Sequence, residues 1–170
     1  YPAERPHLSI FNDGDIVLYG RESVGIKTAM ASADLADSKI ILNKPIRING
    51  DKSIGVELAK IMDDGYGNVV VGAYDPRPAV IKATIGDEVN KYAGNALGAY
   101  NPNLVEESIG LYVNRVGLNY RLRDFDFKFG TFASKSALIN ITNGHLFLDN
   151  AAVLDMNITA GQDNFGIITT

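Results

Sequence analysis

The sequence predicts an all-β protein, a solenoid in the form of a parallel β-helix of about six coils with protruding loops. The first observation behind this prediction is a phrase, Ser-x-Gly followed by an aliphatic residue. The phrase occurs at Ser23–Ile26, Ser53–Val56 and Ser108–Leu111, with altered copies at Ser136–Ile139 and Asn164–Ile167. The first two copies begin 30 residues apart and the last three 28 apart. A fixed period of this length is typical of stacked repeats.

The second observation is the abundance of strand signals, and the third is the scarcity of helical periodicity. Runs rich in β-branched and aromatic residues alternate with Gly, Asn and Asp. In chain order the predicted strands are Asp15–Tyr19, Val24–Thr28, Lys39–Asn49, Ile54–Leu58, Asn68–Tyr74, Ala79–Ile85, Ile109–Asn114, Leu118–Phe129, Ala137–Thr142, His145–Asp149, Ala152–Thr159 and Phe165–Thr169. Only Ala29–Leu35 and Val56–Asp63 suggest a helical turn, each in a loop after a copy of the phrase. A unit of about 28 residues accommodates three short strands and their turns.

The recurring phrase has a physical explanation if its copies stack about 4.8 Å apart. Glycine suits a place where neighbouring backbones approach closely, and the Ser or Asn side chain bonds a local backbone group in a turn. The aliphatic residue then points into a shared core. We therefore expect Ile26, Val56, Leu111, Ile139 and Ile167 to form one internal column. The alternative is a β-sandwich with coincidentally similar strands.

Two places interrupt the pattern. Between Ser53 and Ser108 the spacing is 55 residues, close to two units, which predicts that a copy is missing near residue 80. The range of about 87–106 is rich in Gly, Asn and Tyr and predicts an insertion that projects from the stack. In Tyr120–Phe129 the apolar residues change parity at Arg123 and Asp124, which predicts a bulge or a corner there.

Composition limits the function. The chain has 170 residues, 46% of them hydrophobic and 21% charged, which fits one globular segment. A net charge of −4 argues against a nucleic-acid surface. The absence of cysteine excludes disulfides, thiolate metal sites and a cysteine nucleophile. No apolar run has the length of a membrane helix, so we expect no direct membrane insertion by this segment.

Few residues suggest catalysis or metal binding. His7 and His145 have no partner at the spacing of a metal site or a catalytic triad. Asp124 and Asp126 share one strand face, where they could act as paired carboxylates on a polysaccharide or hold calcium. The solvated side of an amphipathic strand explains them more simply. We therefore predict no cofactor and no enzyme activity.

The repeated phrases resemble the passenger regions of type V autotransporters, closest to the large fusobacterial adhesin type. Glu22–Ile26, Lys52–Val56 and Glu107–Tyr112 carry this resemblance, together with Ile48–Asp51 before the second phrase. It implies a right-handed parallel β-helix displayed on the surface of a Gram-negative bacterium, at its outer membrane. Residues 1–170 would then be a single segment excised from a longer passenger.

The resemblance implies an adhesin that attaches to a host-cell or bacterial surface protein or glycan through loops on the scaffold. Tyrosine and asparagine in Gly-rich loops are typical of adaptable recognition surfaces. The candidate binding residues are Tyr66, Tyr74, Tyr92, Tyr100, Asn101 and Asn103. Two alternatives stay open: a β-helical polysaccharide-degrading enzyme and a structural stalk that binds nothing.

Overall fold

The computed structural model describes residues 9–28, 39–58, 79–91, 103–148, 153–155 and 163–170. In these ranges the chain forms strands and turns and no helix. The strands are β1 (Ser9–Asn12), β2 (Ile16–Leu18), β3 (Val24–Thr28), β4 (Lys39–Leu42), β5 (Ile46–Ile48), β6 (Ile54–Leu58), β7 (Ala79–Ile85), β8 (Val105–Glu106), β9 (Ile109–Phe129), β10 (Ala133–Ser134), β11 (Ala137–Leu148), β12 (Val153–Asp155) and β13 (Phe165–Thr169). The all-β class is therefore confirmed.

Every pairing between the described strands is parallel, and each joins one repeat to the next. The pair of β8 with β10 forms a separate two-stranded sheet, and the other pairings form three columns. The first runs from β1 through β4, β7 and β9 to β11, and the second from β2 through β5, β7 and β9 to β12. The third, here called the Ser-x-Gly column, runs from β3 through β6, β9 and β11 to β13. Because β7, β9 and β11 each continue from one column into the next, the sheet curls.

The Ser-x-Gly column contains the predicted internal ladder. Ile26 pairs with Val56, Val56 with Leu111, Leu111 with Ile139 and Ile139 with Ile167. Four of these side chains are buried, whereas Ile167, on the last strand of the column, is 47% exposed. The predicted column is confirmed, with its last member open to solvent.

The spacing between Ser53 and Ser108 is explained differently from the prediction. Ile54 pairs directly with Ile109, so the two phrases lie in adjacent rows of the column and no copy is missing between them. Strand β7, near residue 80, lies in the same row as the phrase at Ser108 and occupies the first and second columns of that row. The prediction was wrong because a long segment between two strands leaves their pairing unchanged. The described strands thus form five rows of the Ser-x-Gly column, where about six coils were expected.

A hydrogen-bonded series follows the same column. The N–H of Ser23 donates to Oγ of Ser53 at 3.1 Å, and that of Ser53 to Oγ of Ser108 at 3.2 Å. The Ser108 N–H donates to Oγ of Ser136, and the Ser136 N–H to Oδ1 of Asn164, both at 3.0 Å. The Ser108 hydroxyl donates in turn to the Gly50 carbonyl at 2.7 Å. The Ser136 hydroxyl instead donates to the nearby Ser134 carbonyl at 2.9 Å, so the serines connect neighbouring rows and also bond local turns.

The residue before each serine or asparagine of this series has a left-handed backbone. These five residues, none of them glycine, are Glu22, Lys52, Glu107, Lys135 and Asp163, with φ of 56°, 51°, 57°, 49° and 59°. We call them the left-handed column. The glycine of the phrase is required by close packing between rows. A Cβ on Gly55 would lie 2.7 Å from the carbonyl oxygen of Gly110 in the next row.

The predicted bulge in β9 is confirmed. Ala79 pairs with Leu122 and Val80 with Asp124, so Arg123 is the extra residue. Leu122 and Phe127, which lie on either side of it, are both fully buried. Of the suggested helical turns, Val56–Leu58 belongs to β6, and residues 29–35 and 59–63 lie outside the described residues.

Candidate functional site

The structure describes one of the six predicted binding residues. Asn103 is exposed, and its carbonyl oxygen accepts a hydrogen bond from the Asn90 N–H at 3.1 Å. Tyr66, Tyr74, Tyr92, Tyr100 and Asn101 lie outside the described residues. Asn103 is the first described residue after 92–102, and its contact with Asn90 fixes its position beside the last described residues before that range.

The two ends of the predicted insertion meet at that place. Besides the contact with Asn103, the Asn90 side chain donates to the Leu104 carbonyl at 3.1 Å. Val105 is fully buried in the hydrophobic core, and Glu106 belongs to β8. The outer parts of the range 87–106 are thus integrated into the scaffold. We call the junction of residues 90–91 with 103–106 the neck.

Asp51 holds the neck to the sheet. Its Oδ1 accepts hydrogen bonds from Nδ2 of Asn90 at 2.9 Å and from the Glu106 N–H at 2.8 Å. Asp51 is 8% exposed and Asn90 6% exposed, so the contact between them is shielded from water, while the contact with Glu106 is part-buried. Burial raises the pKa of the Asp51 carboxyl, while the bonds donated by Glu106 and Asn90 act in the opposite direction. One buried carboxylate thereby joins both sides of the neck.

A second polar network lies next to the neck. The Tyr19 hydroxyl, after β2, donates to Oε2 of Glu88 at 2.7 Å. The Lys91 ammonium lies 3.9 Å from Oε1 of Glu88 and 5.0 Å from the centre of the Tyr19 ring, within cation–π range. The hydrogen bond to Glu88 raises the pKa of the Tyr19 phenol, because the neutral phenol is the donor.

Arg47, on β5, completes this network. Its Nε donates to Oδ2 of Asp87 at 2.7 Å, and its Nη2 lies 3.2 Å from Oε2 of Glu88. Asn49 donates to Oδ1 of Asp87 at 2.8 Å and accepts from the Glu88 N–H at 3.2 Å. The hydrogen bond to Asp87 raises the pKa of the Arg47 guanidinium, so its charge persists. Three consecutive rows are joined at this surface.

The carboxylate pair that sequence analysis singled out lies on another face. Asp124 and Asp126 are half-buried on β9, opposite the inward Phe125 and Phe127. Oδ2 of Asp126 lies 3.4 Å from the Lys128 ammonium, whereas Oδ1 is buried and has no hydrogen-bond partner. Most buried polar atoms in folded proteins have a hydrogen-bond partner. A bound molecule that donates a hydrogen bond to Oδ1 of Asp126 would explain this exception.

Other site chemistry is sparse in the described part of the chain. His145 is exposed on β11, and His7 lies outside the described residues. The described side chains contain no group of three or more His, Asp or Glu that could hold a metal ion. Over the same ranges, no helix is long and apolar enough to cross a membrane.

Sequence reasoning missed the neck residues and their network. Asp51 and Asn90 are 39 residues apart and Arg47 and Asp87 are 40 apart, and neither pair shares a motif. The one available signal was the turn Asn49-Gly50-Asp51, which the sequence analysis assigned to the scaffold. Its two polar side chains in fact hold the neck and the adjacent network.

The chain was also compared with known proteins. No protein-family model, curated protein or solved structure matches it.

Proposed function

We propose that this protein is a segment of a bacterial surface adhesin, built as a right-handed parallel β-helix of the kind that type V autotransporters display. Parallel columns joined row to row, with strands that continue from column to column, support this finer description of the fold. The adhesin attaches to a protein or glycan on a host cell or a neighbouring bacterium. The segment supplies a scaffold and the binding loops that it holds.

The observation that carries this proposal is the construction of the neck. Asp51 and Asn90 bring residues 90 and 103 together beside the sheet, with one buried and one part-buried hydrogen bond on a single carboxylate oxygen. Binding residues are often placed on loops that a rigid sheet positions. A spacer with no binding role has no need of such an anchorage for an interrupting segment.

The chemistry of the segment supports a recognition role. Residues 92–102 contain Tyr92, Tyr100 and Asn101 among glycines and alanines. Tyrosine contributes a large, rigid and amphipathic contact area, and asparagine contributes hydrogen bonds that adapt to a partner. Both suit the rim of a protein surface or the hydroxyl groups of a glycan.

Replacement of the segment tests the proposal. A Gly-Ser-Gly turn in place of residues 92–102 can close the neck, because the Asn90 N–H and the Asn103 carbonyl oxygen are 3.1 Å apart. Beads coated with the protein would be counted on epithelial cells and on bacterial lawns. We expect attachment by the unaltered protein and by the control His145→Ala, and its loss in the replacement variant. Equal attachment by all three proteins would indicate that other loops of the scaffold bind the cells. Absence of attachment by all three would favour a structural stalk that binds nothing.

A polysaccharide-degrading enzyme is the second candidate, because Oδ1 of Asp126 is buried and unpartnered beside Asp124. In that case the two carboxylates would act on an acidic polysaccharide, with Lys128 near the substrate charge. Release of reducing ends from polyuronates, lost in Asp126→Asn and retained in the replacement variant, would support this candidate. Absence of release from the unaltered protein would remove it.

A further inference from the structure

Strand β13 ends the Ser-x-Gly column among the described strands, and its outer edge is open. Phe165 is 46% exposed and Ile167 47% exposed. Their direct neighbours in the previous row, Ala137 and Ile139, are 6% and 0% exposed. An open strand edge with apolar side chains is a template for a further strand.

The left-handed column indicates which charge that strand would carry. Its members alternate in sign from row to row: Glu22, Lys52, Glu107, Lys135 and Asp163. Within the series, the Lys52 ammonium lies 3.8 Å from a carboxylate oxygen of Glu107. Asp163 is the exposed last member. A basic residue beside it would continue the alternation, and an acidic one would repel it.

The hydrogen-bonded series indicates the next residue. In each row the N–H at the serine position donates to a side-chain oxygen of the following row, and Asn164 is the last acceptor. The Phe165 N–H points towards the previous row and donates to the Ser136 carbonyl at 2.8 Å. Because strand N–H groups alternate in direction, those of Asn164 and Gly166 face the open edge. A Ser or Asn on the added strand would accept from Asn164.

We propose that the β13 edge binds, in parallel, a polypeptide strand with a basic residue, then Ser or Asn, then a short run with an inward aliphatic side chain. The aliphatic residue covers Ile167, and the basic residue pairs with Asp163. A second copy of this chain is a poor occupant, because its exposed first row would place Glu22 against Asp163. This inference is independent of the adhesin proposal, since it uses neither the neck nor residues 92–102.

The test attaches such a strand to the protein itself. Residues 49–58, which carry Lys52, Ser53 and Val56, are appended after Thr170 through a Gly-Ser linker of about 20 residues, whose mean reach is about 25 Å. The linker raises the local concentration of the strand, so that weak pairing is measurable. Hydrogen exchange of the Asn164 and Gly166 amides reports the pairing. We expect exchange at least ten times slower than in the protein without the appended strand.

A charge exchange makes the test specific. With Glu in place of Lys in the appended strand, most of the protection should disappear, and Asp163→Lys in the protein should restore it. Glu22→Lys, in the first row, is the control and should change nothing. Phe165→Lys should abolish protection through the apolar contact. Lack of protection, or equal protection with Lys and Glu, would overturn the proposal. So would protection that depends on protein concentration, because the occupant would then be a second copy.

Discussion

At the scale of single residues, five side chains that are not glycine occupy left-handed backbone at one position of the repeat. An L-residue in this conformation costs roughly 1–2 kcal/mol. In rows two to five the next residue is a serine or asparagine whose side chain accepts a hydrogen bond from the previous row. In these four rows the polar contacts offset the backbone strain.

The Ser108 hydroxyl bonds two backbone groups of the previous row. Its Oγ is buried, accepts from the Ser53 N–H at 3.2 Å and donates to the Gly50 carbonyl at 2.7 Å. We expect Ser108→Ala to lower the free energy of unfolding by about 1–3 kcal/mol, because two buried backbone groups lose their partner. Urea denaturation measures this loss. The control is Ser23→Ala in the first row, expected within about 0.5 kcal/mol of the unaltered protein. Equal losses at both positions would contradict the role of the series.

Asp51 makes the stability of the neck depend on pH. Because burial raises its pKa, the folded state holds this proton more tightly than the unfolded state. The contribution of Asp51 to the free energy of unfolding is therefore largest below the unfolded pKa, about 4. It declines as the pH rises through the folded pKa. Asp51→Asn keeps an acceptor oxygen without the charge.

We expect Asp51→Asn to gain stability relative to the unaltered protein as the pH rises from about 4 to 7. Urea denaturation at several pH values measures the difference. Asp51→Ala should be less stable than Asp51→Asn throughout, because the Glu106 N–H and the Asn90 amide lose their acceptor. A difference between the asparagine variant and the unaltered protein that does not change with pH would contradict the assignment.

At the scale of elements, strand β9 shows which part of the sequence pattern is informative. The change of parity between Leu122 and Phe125 predicts an irregularity, and the extra residue is Arg123. The pattern does not predict that β9 runs unbroken from Ile109 to Phe129, because Asn114 and Gly117 are poor strand formers. Asn114 pairs with Asn143 and Asn119 with His145, so pairing with β11 before and after Gly117 overrides this local preference.

The bulge predicts opposite effects for two single-residue deletions in β9. Without Arg123, Leu122 and Phe125 point to the same side in regular alternation, and Val80 still pairs with Asp124. We expect this deletion to cost less than about 1.5 kcal/mol of unfolding free energy. Deletion of Asp126 instead turns Phe127 and Phe129 outward, at about 1.5–3 kcal/mol for each side chain. Thermal and urea unfolding distinguish the two, and equal costs would contradict the bulge.

The candidate site was less predictable from sequence than the strands. Repetition reveals residues that play the same part in every row, such as Val56 and Leu111. The contact of Asp51 with Asn90 occurs once and joins residues 39 positions apart, so no period contains it. Left-handed Lys52 and Glu107 also escape prediction, because neither residue type favours that conformation.

At the scale of the whole molecule, the described strands of the Ser-x-Gly column are stacked, and in that column each strand pairs with those of the adjacent rows. In such a stack, stability depends on the coverage that adjacent rows provide. Leu111, in the third row, is covered on both sides and fully buried, whereas Ile167, in the last, is 47% exposed. Side chains at the same position of the repeat should therefore contribute different amounts to the free energy of unfolding in different rows.

We expect Leu111→Ala to lower the free energy of unfolding by about 2–5 kcal/mol, the usual range for a buried aliphatic side chain. Ile167→Ala should cost on the order of 1 kcal/mol, since half of the side chain is already in water. Urea denaturation gives both values, and native-state hydrogen exchange should show greater protection for Leu111 than for Ile167. Equal losses at the two positions would indicate a core that does not depend on row order.

The alternating charges of the left-handed column also restrict how such a protein can lengthen or shorten by descent. Removal of the row that contains Lys52 would bring Glu22 beside Glu107. Removal of two consecutive rows, those of Lys52 and Glu107, would instead bring Glu22 beside Lys135 and preserve the alternation. Insertion or removal of two consecutive repeats, about 56 residues where the period is 28, preserves the alternation of charge, whereas insertion or removal of one repeat brings like charges together.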